Sequence, residues 1–270
     1  MRVGRAVAAV TLVAAAGLAG AVPARAGLAD RAGATFALMA GDFVKAAQPV
    51  EGLVVSVDGQ LVYVDLGRAA GAQVGQELVI FRKGATFLHP FTDKPLGRYE
   101  EVLGHVQLQR VEERFSEGVF IPRPDTPEPR PEDGARVSRA RIRIAITPVL
   151  DLTDAKADAR RVPYFLASAL ERSRRFQVVD PLSVGDMFAS AGLRVEEMLA
   201  RPERAIRTAR NLEISGWIVP VLLERRGVTY LDVTWISAVT GTALFSRRLP
   251  LVTSGAAEDQ RFPWEPRAED

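Results

Sequence analysis

The stretch LVVSVDGQLVYVDL, residues 53–66, decides how the fold is read. Leu53, Val55 and Val57 alternate with other side chains up to Asp58-Gly59, and a second β-rich run follows from Leu61 to Leu66. Alternation with period two marks a half-buried strand, and Asp-Gly supplies the positive φ angles of a two-residue turn, so the stretch predicts a β-hairpin. Beyond it, Gly67, Gly71 and Gly75 punctuate a turn-rich passage. Residues 77–82 then read as a third strand, with two more expected at 104–111 and 115–121. Five short strands within residues 51–121 predict a small barrel closed on itself, which hides strand edges that would otherwise pair with other chains. Upstream, residues 27–50 form an N-terminal segment in which Phe36, Leu38, Met39, Phe43 and Val44 predict a short helix.

Downstream of the barrel, Pro122, Pro124, Pro127, Pro129 and Pro131 are mixed with Asp125, Glu128, Glu132 and Asp133. Such a run cannot donate a regular ladder of hydrogen bonds, so residues 122–138 read as a stiff charged linker and domain boundary. Residues 139–252 change character. Ile142, Ile144 and Ile146 alternate as a strand, and Val162, Phe165, Leu166, Ala169 and Leu170 mark one helix face that Pro163 can start. After a short strand at 176–179, Asp180-Pro181 caps a helix that Gly192 closes, and Pro202 opens another to about Leu212. Strands at 217–223, 228–239 and 243–249 complete an α/β layer. In the middle one Leu231, Val233 and Trp235 oppose Asp232 and Thr234, as in a sheet with helices on one face. Residues 253–270 carry five acids and two prolines and read as a loose acidic tail.

The first 26 residues read as an address. Arg2 and Arg5 precede an apolar stretch from Ala6 into Val22, followed by Ala24-Arg25-Ala26, so a cleaved secretory signal ending after Ala26 is expected. The stretch is too short and too weakly apolar to anchor in a bilayer, and there is no cysteine for lipid attachment. A soluble, unlipidated periplasmic protein with no integral membrane segment in its mature chain is expected. The whole chain has 35 basic against 33 acidic residues; the signal removes three arginines and no acid, leaving a net charge of −1. That removes the charge argument for nucleic acid as a partner.

Candidate chemistry is sparse. With no cysteine, thiolate metal sites and disulfides are excluded. The only histidines are His89, read as turn-stabilising, and His105, read as a rim residue of a strand. Neither sits in a triad or metal pattern, and no G-x-S-x-G or S-x-x-K occurs, so no catalytic, cofactor-binding or metal-binding residue is assigned and no cofactor is expected. Asp151, Asp154 and Asp158 follow a strand end where α/β domains often hold ligands, but lack the spacing of a calcium loop. Gly67, Gly71 and Gly75 lack the lysine of a phosphate loop. Arg160, Arg161, Arg172, Arg174 and Arg175 could grip an anion, against which stands a solvated face complementing helix ends.

Two stretches resemble known families. Residues 51–117, with Val57-Asp58-Gly59, Val62 through Gly67, Val74-Gly75, His89-Pro90 and Leu96-Gly97, resemble the small SH3-like β domain of the flagellar assembly protein T family. Residues 142–248, with Arg175 through Pro181, Gly192-Leu193, Leu212 through Gly216 and Thr240-Gly241, resemble envelope domains like the amino-terminal domain of TolB, a group that includes the curli-secretion lipoproteins. The resemblance implies an SH3-like β-barrel followed by an α/β sandwich, an α+β chain of two domains. It also implies a non-enzymatic periplasmic adaptor or assembly protein that binds envelope proteins, in a flagellar or secretion setting. The order of the domains departs from that expected of the flagellar protein, and the lipid-bearing cysteine of the lipoproteins is absent. The alternative is a module sensing an anionic small molecule or glycan at the loop from Asp151 to Arg161.

Overall fold

The predicted hairpin is present. In the computed structural model, which describes residues 27–154 and 158–253, β1 (Val50–Asp58) pairs antiparallel with β2 (Leu61–Val64), Asp58 opposite Leu61. The connecting residues are Gly59 and Gln60, one position later than expected, and only Gly59 has a positive φ, +57°, as in a II′ turn. The buried face of β1 also differs from the expected one. A register shift between Val54 and Ser56 leaves Val54 in the core while Leu53 and Val55 face outward. An irregularity of this kind inserts a residue into one strand, and simple alternation cannot be carried across it.

β3 (Glu77–Leu88), β4 (Pro95–Val111), β5 (Ser116–Pro122) and β6 (Gly134–Val137) complete a closed barrel in the order β1-β2-β5-β4-β3-β6. Val62, Val64, Leu78, Ile80, Leu103 and Val106 are fully buried within it. The barrel therefore has six strands where five were expected, and the sixth comes from the segment read as a linker. β6 lies between β1 and β3, so without it two strand edges would stay open. Four residues are too few to show a period, and the preceding prolines hide the strand. The end of that segment is fastened down: Asp133, 3% exposed, accepts bonds from Arg82 Nε and Nη2 at 2.8 and 2.7 Å and from the Arg130 amide at 2.8 Å.

The second sheet is built from β7 (Ile142–Ile146), β8 (Leu150–Asp151), β9 (Phe176–Val178), β10 (Gly216–Arg225), β11 (Val228–Ser237) and β12 (Ala243–Pro250). Its order is β12-β11-β10-β7-β9, with β8 also on β10; β7 is parallel to β9 and β10, and β8 to β10, while β10–β11 and β11–β12 are antiparallel. The helix signals hold: α2 (Val162–Arg172) has Pro163 in its first turn, and the Asp180 side chain accepts the Leu182 amide at 3.1 Å to cap α3 (Pro181–Ser190). Gly192 ends that segment at φ +56°. α4 (Val195–Ala200), which was not expected, and α5 (Pro202–Asn211) follow.

Helices cover both faces of this sheet, not one. Along β7, Ile144 and Ile146 join a core with α2, while Ala145 between them joins a second core with α3, α4 and α5. Along β10, Ile218 and Leu222 face the first core, Trp217 and Val219 the second. The expectation of a single covered face came from β11, where Asp232 and Thr234 are half-buried opposite the core-facing Leu231, Val233 and Trp235, and Asp232 pairs with Arg248.

The first core also holds α1 (Leu28–Ala46), a 19-residue helix in place of the short one expected. Ala29, Ala32, Phe36, Met39, Phe43 and Ala46 are buried at alternating steps of three and four, a continuous helical stripe, whereas Leu38 is 60% exposed. α1 packs on α2 so closely that a Cβ on Gly33 would stand 2.8 Å from Phe165 Cβ. The N-terminal segment thus belongs to the α/β layer, and the barrel is inserted between α1 and the rest of that layer.

Candidate functional site

Where the barrel meets the sheet, strand periodicity brings one outer face of β3 and β4, carrying Glu77, Val79, His105 and Gln107, against the ends of β11 and β12. Between them lies a cleft of about 670 Å³. Its apolar wall includes Val79, Val102, Ile121, Ile142, Leu244 and Phe245. Direct contacts hold the two sides together. Ser237 Oγ donates to Glu77 Oε2 at 2.6 Å, Gln107 Nε2 to Thr242 Oγ1 at 2.9 Å, and Gln76 Nε2 to the Ala46 carbonyl at 3.2 Å. Gly75 has φ +84° and runs so near β12 that a Cβ there would lie 2.6 Å from the Leu244 carbonyl oxygen.

Burial pushes the Glu77 carboxyl above its ordinary range, and the Ser237 hydroxyl partly counters this. The Ser237 oxygen also accepts the amides of Val239 and Thr240 at 2.9 and 3.1 Å. His105 is shifted down, first by burial and then by the Arg123 charge, which favours its neutral form. It lines the cleft and does not sit on an open barrel rim as expected. Arg136 is engaged, gripping Glu100 through both terminal nitrogens at 3.1 and 2.6 Å and stacking 4.0 Å from the Phe81 ring centre. Arg123 and Arg210 line the same cleft, are exposed, and form no ion pair among the described residues. Trp235 Nε1 is buried in the wall with no acceptor among the described residues.

One guanidinium pins the chain where it crosses between the two units. Arg175, 9% exposed, donates from Nε to the Ala47 carbonyl at 2.5 Å, from Nη1 to Ala140 at 2.5 Å and from Nη2 to Ser138 at 2.6 Å. Ala47 leads into the barrel, and Ser138 and Ala140 lead out of it. Its pKa is lowered by burial. A solvated-face reading of the arginine group is therefore corrected for Arg175, while Arg160, Arg161, Arg172 and Arg174 do lie on the exposed side.

β3 and β4 continue past the barrel as a two-stranded arm; both were expected to end at the barrel wall. From Lys83 to Glu100 every residue but His89 is exposed. Phe91 at the tip is 90% exposed, Tyr99 60% and Leu96 57%, and Phe87 packs edge-on to Tyr99 at 5.5 Å. His89 does organise the tip: its Nδ1 accepts the Phe91 amide at 3.2 Å, and its carbonyl accepts the Asp93 amide at 2.9 Å. Glycine and proline near the tip read as loop, and a strand pair unsupported by a core shows no one-sided period.

The loop from Asp151 to Arg161 lies at the carboxyl end of β7, opposite the cleft, which sits where β7 begins. Residues 155–157 are outside the described residues. Asp151 Oδ1 accepts the amide and hydroxyl of Thr153 at 2.9 and 2.6 Å. Asp158 grips Arg160 at 3.0 and 2.8 Å, which holds its carboxyl at about 2. Among the described residues no three acids or histidines are grouped to hold a metal, so Asp151, Asp154 and Asp158 are not brought together as one site. Gly71 and Gly75 serve turns at positive φ after a single 3₁₀ turn at Arg68–Ala70. The signal of residues 1–26 and the tail from residue 254 onward lie outside the described residues.

The structure defines a mixed α+β chain of two sheets, and among the described residues no helix is long and apolar enough to cross a membrane. No family model matches it, and no curated protein does. Among solved structures it is similar to the C-terminal domain of LpoB from Escherichia coli, with 18% identity over 43% of this chain and 86% of that one and a TM-score of 0.36. The same domain from Salmonella enterica matches at 19% identity over 41% and 82%, TM-score 0.35. Lipoprotein GNA1162 from Neisseria meningitidis matches at 14% identity over 40% and 78%, TM-score 0.32. Scores of this size assign neither a family nor a partner.

Proposed function

We propose that this chain is a non-enzymatic adaptor of the cell envelope, exported to the periplasm, whose arm of β3 and β4 docks a partner protein. The carrying observation is the arm itself. An exposed strand pair bearing Phe87, Leu88, Phe91, Leu96 and Tyr99 has no core to bury them among the described residues, and rigid aromatic anchors of this kind dominate protein interfaces. The barrel is closed and offers no strand edge, while the free edge of β12 carries Arg247 and Arg248, so the arm is the better docking element. Assignment as a non-enzyme is supported by the Glu77 carboxyl of the cleft being engaged by the Ser237 hydroxyl, whose oxygen in turn accepts the Val239 and Thr240 amides. The export signal supports the compartment, and the motifs resembling the SH3-like and TolB-type domains support an assembly role in a flagellar or secretion setting.

Photocrosslinking in cells tests this. A crosslinker placed at Phe91 or Tyr99 is expected to give a discrete adduct that a Leu96→Ser, Phe87→Ser chain no longer gives, while a crosslinker at Arg207 on α5 gives none. Adducts unchanged by the double substitution, or equally strong from Arg207, would remove the arm from the docking role.

A further inference from the structure

The cleft between barrel and sheet has features that partner docking by the arm does not use. It is of the size that holds small molecules, in the range of about 300–1,000 Å³. Its wall is mainly aliphatic and aromatic, contributed by both units: Val79 and Ile121 from the barrel, Leu244 and Phe245 from the sheet. Its two half-buried titratable groups, Glu77 and His105, are not set to hold a charged ligand. Glu77 is bonded to Ser237, and His105 is driven toward its neutral form by burial. Unpaired positive charge comes from Arg123 and Arg210, which line the cleft, are exposed and form no ion pair among the described residues. Arg136 by contrast is already occupied by Glu100.

We infer that the cleft binds a single-chain anionic amphiphile: an alkyl chain along the apolar wall, its carboxylate or monoester phosphate held at the mouth by Arg123 and Arg210. An apolar interior with charge of one sign at the rim selects this chemistry. A polar sugar would leave its hydroxyls unpaired against Val79, Ile121 and Phe245, and a neutral hydrocarbon would make no use of the arginines. The site lies on the opposite end of the sheet from the Asp151 loop and is independent of the arm, so either can fail without the other.

Displacement of 11-(dansylamino)undecanoic acid from the purified full chain, followed by dansyl fluorescence, tests the inference. Dodecanoate and dodecyl phosphate are expected to displace the probe at micromolar concentration, and their ranking tells a carboxylate from a phosphate ligand. Shortening the chain from twelve to ten and eight carbons weakens binding about fourfold per methylene. Dodecanol binds at least tenfold more weakly than dodecanoate, and an Arg123→Gln, Arg210→Gln chain loses that preference. Both positions are exposed, so the double variant keeps its fold, which its melting temperature checks. Val102→Trp, which fills the cleft, abolishes probe binding. No displacement at millimolar dodecanoate, indifference to chain length, or an anion preference that survives the double substitution would each overturn the assignment.

Discussion

Arg175 offers the sharpest test of how the two units are joined. Its guanidinium donates to three carbonyls, of Ala47, Ser138 and Ala140, and forms no ion pair among the described residues. Arg175→Met keeps most of the side-chain volume and removes the donors. Each charge-assisted bond is worth about 1.5–3 kcal/mol, and the burial that lowers the arginine pKa offsets part of the sum, so a net loss of about 3–5 kcal/mol follows. For a chain of this size that lowers the melting temperature by roughly 6–15 °C. Arg175→Lys keeps the charge but cannot span three acceptors, and falls between. The loss should be local at first. The Ile142 amide donates to the Arg175 carbonyl and the Gln48 amide to Lys45, so hydrogen exchange at residues 47–48 and 138–142 should quicken before the barrel core around Ile80 does. A melting temperature within about 2 °C of wild type, or exchange rising uniformly, would refute the role of Arg175 as the pin between the units.

Other outcomes follow from the same packing. Glu77 has a raised carboxyl pKa, so the folded state binds more protons than the unfolded one above pH 4.5, and stability falls as pH rises through that window. Glu77→Gln should therefore melt higher than wild type at pH 8, with the gap closing by pH 4 in a series of thermal melts. Asp133→Ala strands Arg82 beside the barrel seam and should cost about 3–5 kcal/mol in urea unfolding. Gly33→Ala drives a methyl group into Phe165 and should destabilise by about 1–3 kcal/mol. Gly41→Ala on the same helix meets nothing within 4 Å and should stabilise by about 0.5–1 kcal/mol, a contrast that urea titration reads directly. Trimming the arm to a tight turn after Lys83 should leave the melting temperature within about 2 °C, because its residues belong to none of the three cores.

Local chemistry was legible where one residue type settles one geometry. Pro163, the Asp180 cap and Gly192 each placed a helix end, and the hairpin near Gly59 needed only its glycine. What the sequence concealed depended on partners distant in the chain. β6 is four residues long and counts as a strand only because β1 and β3 flank it. The stripe on α1 is regular, yet nothing local says that it packs on α2 across an inserted barrel. No spacing signals the cleft, whose lining comes from separate segments around residues 77, 105, 123, 210 and 235.

By itself, then, the sequence determined the strand-rich barrel, the α/β character of the later residues and the absence of thiol chemistry, because backbone preference and residue inventory are local properties. Tertiary structure alone decided that the barrel closes with six strands, that Arg175 is buried, that β3 and β4 run out into an arm, and where a cavity forms. Burial and charge pairing belong to surfaces brought together by folding, and a linear pattern does not contain them.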